Sequence, residues 1–291
     1  MSRVELVIDA KAILGEGPSW DSKKGILYWV DIIGKKVHLF HPMSGESRVI
    51  PVGQMVGAVV PRDSGGVMLA MEDGFYACNT EAETLEKHGD PGSVGSHMRF
   101  NDGKCDAAGR FWAGTMDRSE LEPMGALFVL DPHQGVRKMV DRVTVSNGIT
   151  WNKEHTTMYY IDSPTRRVDA FDFDLHSGAI SRRRTVVRIP EGEGLPDGMT
   201  MDEEGMLWIA HWDGYQVSRW NPATGEKLEK VPLPVARVTS CVFAGEQLNE
   251  LYITTARIGI DSNKLENQPY AGGLFKIKTA VRGVPTYGYS G

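Results

Sequence analysis

Apolar and polar positions along this chain repeat one pattern six times. Each copy opens on a small or polar pivot, runs through a short strand, turns in an Asp/Asn/Gly-rich bend and enters a strand that is apolar and aromatic throughout. These second strands read Gly25-Ile-Leu-Tyr-Trp-Val-Asp31, Gly66-Val-Met-Leu-Ala-Met71, Gly109-Arg-Phe-Trp-Ala-Gly114, Thr156-Thr-Met-Tyr-Tyr-Ile-Asp162, Gly205-Met-Leu-Trp-Ile-Ala210 and Asn249-Glu-Leu-Tyr-Ile-Thr254, and begin 41, 43, 47, 49 and 44 residues apart. A period in the forties with several short strands per repeat predicts an all-β fold, a six-bladed β-propeller of four-stranded blades. The second strands do not alternate because neighbouring blades cover both of their faces. Third strands are visible at Lys36–Phe40, Ala126–Leu130, Val168–Phe173 and Gln216–Trp220. The turns Pro42–Gly45, Asp131–Gly135 and Asn221–Gly225 separate them from fourth strands, where hairpins use Pro, Asn and Gly. No amphipathic helix is predicted. The run Val4–Asp9 has no blade of its own, so it is expected to complete the last blade beside Gly273–Lys278 and close the ring. Leu85 to Met98 and Asp117 to Met124 are too long for tight hairpins and are expected to be loops near a binding site.

The repeat assigns residues 1–291 to one propeller domain, although length alone would suggest two. A chain that is 41% apolar and 24% charged can bury a large core. Net charge is −6 with no basic run, which argues against nucleic acid as a partner. The start lacks the apolar core of a signal peptide, and no apolar stretch is long enough to span a membrane. Cys78, Cys105 and Cys241 are odd in number and widely spaced, which suits a reduced cytoplasmic protein and no CxxC metal site.

The six pivots differ, and four of them place Glu, Asn or Asp beside Gly: Gly15-Glu16-Gly17, Asn101-Asp102-Gly103, Asn147-Gly148 and Asp197-Gly198. Glycine there lets the backbone crowd the channel and adopt unusual φ, with the polar neighbour pointing into the channel mouth. Asx-Gly pairs are ordinarily hairpin turns. These recur at one phase, where the chain enters the first strand of a blade, which favours a functional role. Glu16, Asn147 and Asp197 together offer two carboxylates and an amide carbonyl, an all-oxygen set suited to Ca²⁺, Mg²⁺ or Mn²⁺, with Zn²⁺ still open. Trp20, Trp29, Trp112, Trp151 and Trp208 follow the repeat and are assigned to the core, whereas Trp212 is a candidate pocket residue. His211 is assigned a structural role. His41, His88, His133, His155 and His176 are placed in turns without ligand spacing, and Arg182–Arg184 on a solvated face.

The motifs Leu14-Gly-Glu-Gly-Pro-Ser-Trp20, Arg99-Phe-Asn-Asp-Gly-Lys-Cys-Asp106, Gly109-Arg-Phe-Trp-Ala-Gly-Thr-Met116, Ser146-Asn-Gly-Ile149 and Leu195-Pro-Asp-Gly-Met199 resemble the regucalcin and gluconolactonase family of sugar lactonases, across essentially the whole chain. The resemblance implies one divalent metal at the channel mouth, with ligand positions on Glu16, Asn147 and Asp197 and sugar contacts on Arg99 and Asn101. It implies hydrolysis of an aldonolactone, such as a gluconolactone, to the open acid. Some members carry an acid shortly after the Gly-Thr-Met stretch that touches sugar hydroxyls. Here that position corresponds to Ser119, with Glu120 next along.

A lactone needs its carbonyl polarised and a water deprotonated. Asp197 is the candidate general base. Asp102 is the fallback, or else orients Asn101. Arg99 can donate two hydrogen bonds to substrate oxygens. An organophosphate or aryl-ester hydrolase on the same metal site, and a non-catalytic calcium-binding regulatory protein, are the alternatives. The polar set Arg99, Asn101 and Ser119 suits a hydroxyl-rich small molecule better than a greasy one.

Overall fold

The computed structural model describes residues 3–92 and 94–291 and forms six four-stranded antiparallel sheets. From the inside outwards, blade 1 is Gly15–Asp21, Ile26–Asp31, Lys36–Phe40 and Ser47–Pro51. Blade 2 is Val56–Pro61, Val67–Met71, Phe75–Asn79 and Thr84–Gly89, and blade 3 is Met98–Cys105, Phe111–Asp117, Gly125–Asp131 and Gly135–Val143. Blade 4 is Ser146–Trp151, Thr157–Asp162, Arg167–Phe173 and Ile180–Arg188, and blade 5 is Leu195–Met201, Leu207–Trp212, Gln216–Asn221 and Glu226–Pro232. Blade 6 takes three strands from the C-terminal part, Val238–Ala244, Glu250–Thr255 and Leu274–Lys278, and its outermost strand, Glu5–Ile8, from the start of the chain. Glu5 pairs with Lys276, so the first strand completes the last blade as the sequence requires. The innermost strands of successive blades pack against one another, and the blade 6 strand meets that of blade 1. The architecture is a six-bladed β-propeller.

The core lies between blades, where apolar second strands face each other. Trp20, Trp29, Trp112, Trp151 and Trp208 are all buried. The same polar anchor serves blades 3 and 5. Asp106 accepts from the backbone N–H of Ala108 and Arg110 and from Trp112 Nε1, and Asp202 accepts from Glu204, Met206 and Trp208 Nε1. Each aspartate shapes the turn between strands one and two and satisfies the buried indole above it. The fourth strands are largely solvated. Arg183 pairs with Asp169, and Arg182 and Arg184 with Asp172, on that outer face.

Two sequence expectations need correction. Residues 85–89 belong to the strand Thr84–Gly89, so His88 is in a strand rather than a turn, and the irregular stretch is 90–97, of which residue 93 lies outside the described residues. A strand this polar carries no apolar alternation to betray it. The segment 256–273 above blade 6 contains a single-turn helix, Ser262–Leu265, too short to leave a periodic signature. The polar pivots stand inside the first strands, not ahead of them. Every first strand shifts register there, between Glu16 and Ser19, Val56 and Ala58, Phe100 and Gly103, Ser146 and Ile149, Pro196 and Met199, and Val238 and Ser240. A bulge adds one residue to a strand and re-aims the neighbouring side chain.

Residues 279–291 have no counterpart in the repeat. They run across the face made by the turns between strands one and two, and bond to every blade. The N–H of Gly283 donates to the Leu248 carbonyl (2.7 Å) and that of Val284 to Met201 (3.1 Å), while Thr286 Oγ1 donates to Trp20 (2.6 Å). Tyr287 Oη meets His155 Nε2, Tyr289 exchanges backbone bonds with Pro61 and Asp63, and the Ser290 N–H donates to Gly109.

Candidate active site

At the opposite end of the channel lies a cavity of about 220 Å³ lined by Leu14, Glu16, Arg99, Asn101, Met116, Glu120, Val145, Asn147, Ser163, Pro164, Leu195, Asp197 and Trp212. It draws on blades 1, 3, 4 and 5, so residues up to 198 positions apart meet only because the ring closes.

The local folding that delivers these groups is visible in hydrogen bonds. Asp31, at the end of a second strand, accepts from the N–H of Ile13 (2.9 Å) and Leu14 (3.0 Å), holding the backbone just ahead of Glu16. Asp162 does the same ahead of Asn147, accepting from Thr144 (3.1 Å) and Val145 (2.9 Å). The glycines that follow the polar residues are there mainly for close packing. A Cβ on Gly148 would stand 2.8 Å from the Asp197 carbonyl oxygen of the next blade. Only Gly17 of this group needs positive φ, at 55°.

One chain of hydrogen bonds crosses from blade 3 to blade 5. Arg99 Nη1 donates to the Phe100 carbonyl (3.0 Å) and to Asn101 Oδ1 (2.6 Å). Asn101 Nδ2 donates to the Ser146 carbonyl (2.7 Å) and to Asn147 Oδ1 (3.2 Å). Asn147 Nδ2 donates to Ser163 Oγ (2.9 Å), which itself donates to the Pro196 carbonyl (2.6 Å). Because the Ser163 proton is committed to Pro196, its oxygen can only accept, and this sets which way the Asn147 amide points. The amide oxygen is thereby turned towards the site, with a lone pair left beyond the Asn101 bond.

Electrostatically the site is a concentration of buried carboxylates. Burial, and then the charge of Asp102, pushes Glu16 from its ordinary 4.5 up to about 8. Burial raises Asp197 well above its usual value, reinforced by Glu16 and Asp102, and burial also raises Asp102. Arg99 is drawn down to about 10 by burial against the pull of Glu120 and Glu16, and stays charged at neutral pH. Asp197 Oδ1 is buried without a hydrogen-bond partner, while Glu16 Oε2 accepts the Gly17 N–H (2.7 Å). Mutually repelling carboxylates, an orphaned oxygen and an oriented amide carbonyl are what a hard divalent cation would relieve. Among the described residues no cluster of three or more His, Cys, Asp or Glu has metal-holding geometry. The donor set here is mixed, two carboxylates with an amide.

Not every candidate from the sequence reaches the cavity. Glu16, Arg99, Asn101, Asn147 and Asp197 line it together. Asp102 is buried below the lining, its Oδ1 held by the Gly103 N–H (2.7 Å) and its charge beside Lys104. Ser119 bonds its hydroxyl to the Asp117 carboxylate and lies outside the lining, and Glu120, with φ of 60°, turns in to take the acidic position beside Arg99. A left-handed residue in the loop shifts the facing position by one, which spacing alone does not reveal. Trp212 lines the cavity. His211 is fully buried, with Nδ1 on the Glu193 carbonyl and Nε2 on Ser218 Oγ, and burial lowers it to about 4, so it is a neutral structural group. The sequence reading missed Leu14, Val145 and Leu195. Each stands two residues before a polar pivot residue, on the same strand face, and that spacing was the available signal.

Residues 14–257 match the family model described as the SMP-30/gluconolactonase/LRE-like region. The chain belongs to this family. It is 41% identical over 300 residues to regucalcin of Danio rerio and 40% identical over 296 residues to regucalcin of Homo sapiens, with 99% of each chain covered in both cases. It is 37% identical over 286 residues to YvrE of Bacillus subtilis (strain 168), whose name proposes a sugar lactone lactonase, covering 98% of each chain. Among solved structures, a luciferin-regenerating enzyme superposes with a TM-score of 0.93 at 29% identity, covering 100% of both chains. A structure described as a calcium-binding protein, regucalcin, from Agrobacterium tumefaciens strain C58 gives 0.93 at 25% identity, covering 98% of this chain and 96% of its own. No helix of the described residues is long and apolar enough to cross a membrane.

Proposed function

We propose that this protein is a divalent-metal-dependent lactonase that opens sugar (aldono) lactones, such as gluconolactone, to the aldonic acid. The observation that carries this reading is that the Glu16 and Asp197 carboxylates and the oriented Asn147 amide line one cavity together with Arg99 and Glu120. Family membership and the name of the Bacillus subtilis relative support it. Glu16, Asn147 and Asp197 would hold the ion, with calcium, magnesium, manganese and zinc all compatible with their oxygen donors. When bound, a divalent ion polarises a carbonyl and makes water easier to deprotonate.

The chain itself supplies the rest. Asp197 has an oxygen free of hydrogen bonds on which a water proton can be accepted. Arg99 spends only Nη1 on its neighbours, which leaves further guanidinium N–H groups for ring oxygens of the substrate. Glu120 can accept from a substrate hydroxyl. Asn101 is occupied with the bonds that orient Asn147, so its role is to position a ligand more than to read the sugar. Asp102 is placed to hold the inner strand and the local field. The three buried free cysteines fit a reducing cytoplasm.

The test is a lactone panel read by acid release, run on chelated protein resupplied with each metal. Metal-restored opening of aldonolactones supports the reading. Metal uptake with no turnover of any lactone points to a calcium-binding role, and turnover of aryl esters or phosphotriesters alone points to the other hydrolase. Arg99→Ala is expected to lower kcat/KM for polyhydroxy lactones by roughly 10–100-fold and to affect an unsubstituted γ-lactone much less. Equal losses on both would assign Arg99 to the metal or the fold.

A further inference from the structure

We propose that the preferred substrate is a lactone with hydroxyls along one edge only and a methyl or alkyl group on the other, a deoxy-sugar lactone in preference to a fully hydroxylated one. This rests on the lactonase reading and narrows it. The cavity has two unlike walls. Strand alternation places the residue two before each pivot on the same face, and in blades 1, 4 and 5 that residue is apolar: Leu14, Val145 and Leu195. Pro164 and Trp212 complete this side. Only in blade 3 is the corresponding residue polar, and it is Arg99.

The polar groups of the site are mostly spent on each other. Both ends of the Asn101 amide, the Nδ2 of Asn147 and the hydroxyl of Ser163 are committed within the hydrogen-bond chain from Arg99 to Pro196. Apart from the groups that would hold the ion, Arg99 and Glu120 are the charged groups left to meet substrate hydroxyls; both belong to blade 3, where Met116 is the apolar lining residue, and Asn101 and Ser163 keep no side-chain N–H or O–H to donate. The apolar wall is firm. Trp212 is clamped by the Arg237 guanidinium, 4.5 Å from its ring centroid, and Arg237 is tied in turn to Asp213 (3.2 Å) and the Gly259 carbonyl (3.3 Å). The indole therefore cannot swing aside cheaply to admit water. A hydroxyl pressed against this side loses its water and gains no partner, whereas a methyl group there is removed from water at no such cost.

Matched pairs of lactones test this on the full chain loaded with metal. L-Rhamnono-1,4-lactone and L-mannono-1,4-lactone share every stereocentre and differ by one oxygen at C6, as do D-fucono- and D-galactono-1,4-lactone. The deoxy member of at least one pair should show kcat/KM higher by roughly 10–100-fold, the range that an apolar pocket enforces against an added hydroxyl. Trp212→Ala should reduce that preference at least about fivefold, while Trp212→Phe, which keeps apolar surface, should retain it. Binding is measured in parallel by calorimetry with the cyclic-ether analogues of both pairs, which cannot be opened. Equal or reversed preference in both pairs, for turnover and ether binding alike, overturns the inference. A deoxy preference in ether binding without turnover of any lactone supports the apolar wall and overturns the lactonase reading instead.

Discussion

Asp197→Asn is expected to lower kcat on a sugar lactone by roughly 10²–10⁴-fold, the usual contribution of a positioned general base, while the protein still takes up metal. The substitution keeps an oxygen of similar reach but removes the ability to accept a proton. Burial and the neighbouring Glu16 and Asp102 charges raise the metal-free Asp197 carboxyl well above its ordinary range, and a bound cation would return it to the ionised form that a base needs. Its unpartnered Oδ1 gives a transferred proton somewhere to go. Stopped-flow acid release on metal-loaded variant, with metal content measured on the same sample, checks both halves of the expectation. Near-normal kcat at full metal occupancy would take the base role away from Asp197.

Glu16→Ala should do the reverse and weaken the metal itself, by at least about 100-fold, because even partners one layer out from an ion are worth 10–100-fold. It should also change how the metal-free protein responds to pH. The folded Glu16 holds its proton up to about pH 8, whereas an unfolded chain releases it near 4.5. Between those values the folded state binds more protons than the unfolded one, so metal-free stability falls as pH rises through that window. The decline should be shallower in Glu16→Ala. A divalent ion should stabilise wild type more at pH 8 than at pH 6, since it replaces the repulsion that ionisation creates. Scanning calorimetry across pH 5–8, with chelator and with metal, reads all of this. Parallel slopes for wild type and variant would mean that Glu16 is not the group that titrates.

The propeller was legible because its signal is redundant. Six apolar second strands, a common spacing and a spare N-terminal strand all point to one ring, and no single misreading could hide it. The convergence of Glu16, Asn147 and Asp197 was legible for the same reason, since phase within a repeat maps to position around an axis. What spacing could not supply was local conformation. Glu120 enters the cavity in place of Ser119 because one loop residue is left-handed. The bulges that turn the pivot side chains inward leave no mark in apolar patterning, and neither does the polar strand Thr84–Gly89. Residues 279–291 escaped notice because they belong to no repeat and are held largely by backbone bonds, which any sequence can make.

Those last residues bear on the order in which the molecule is assembled. Blade 6 needs Glu5–Ile8 and Leu274–Lys278 in the same sheet, and the segment that follows bonds to all six blades. Contacts of such sequence separation carry a large loop-closure cost and form late. During synthesis the N-terminal blades can pair their own hairpins as they emerge, but the Glu5–Ile8 strand has no partner until residue 274 has left the ribosome. Asp197 is translated well before this, yet the ring around it stays open until nearly the whole chain is out. The proposed metal site would assemble only in the closed ring and so would report completed folding, and a nascent chain stalled before blade 6 should bind no ion in it, however correctly its first five blades have formed.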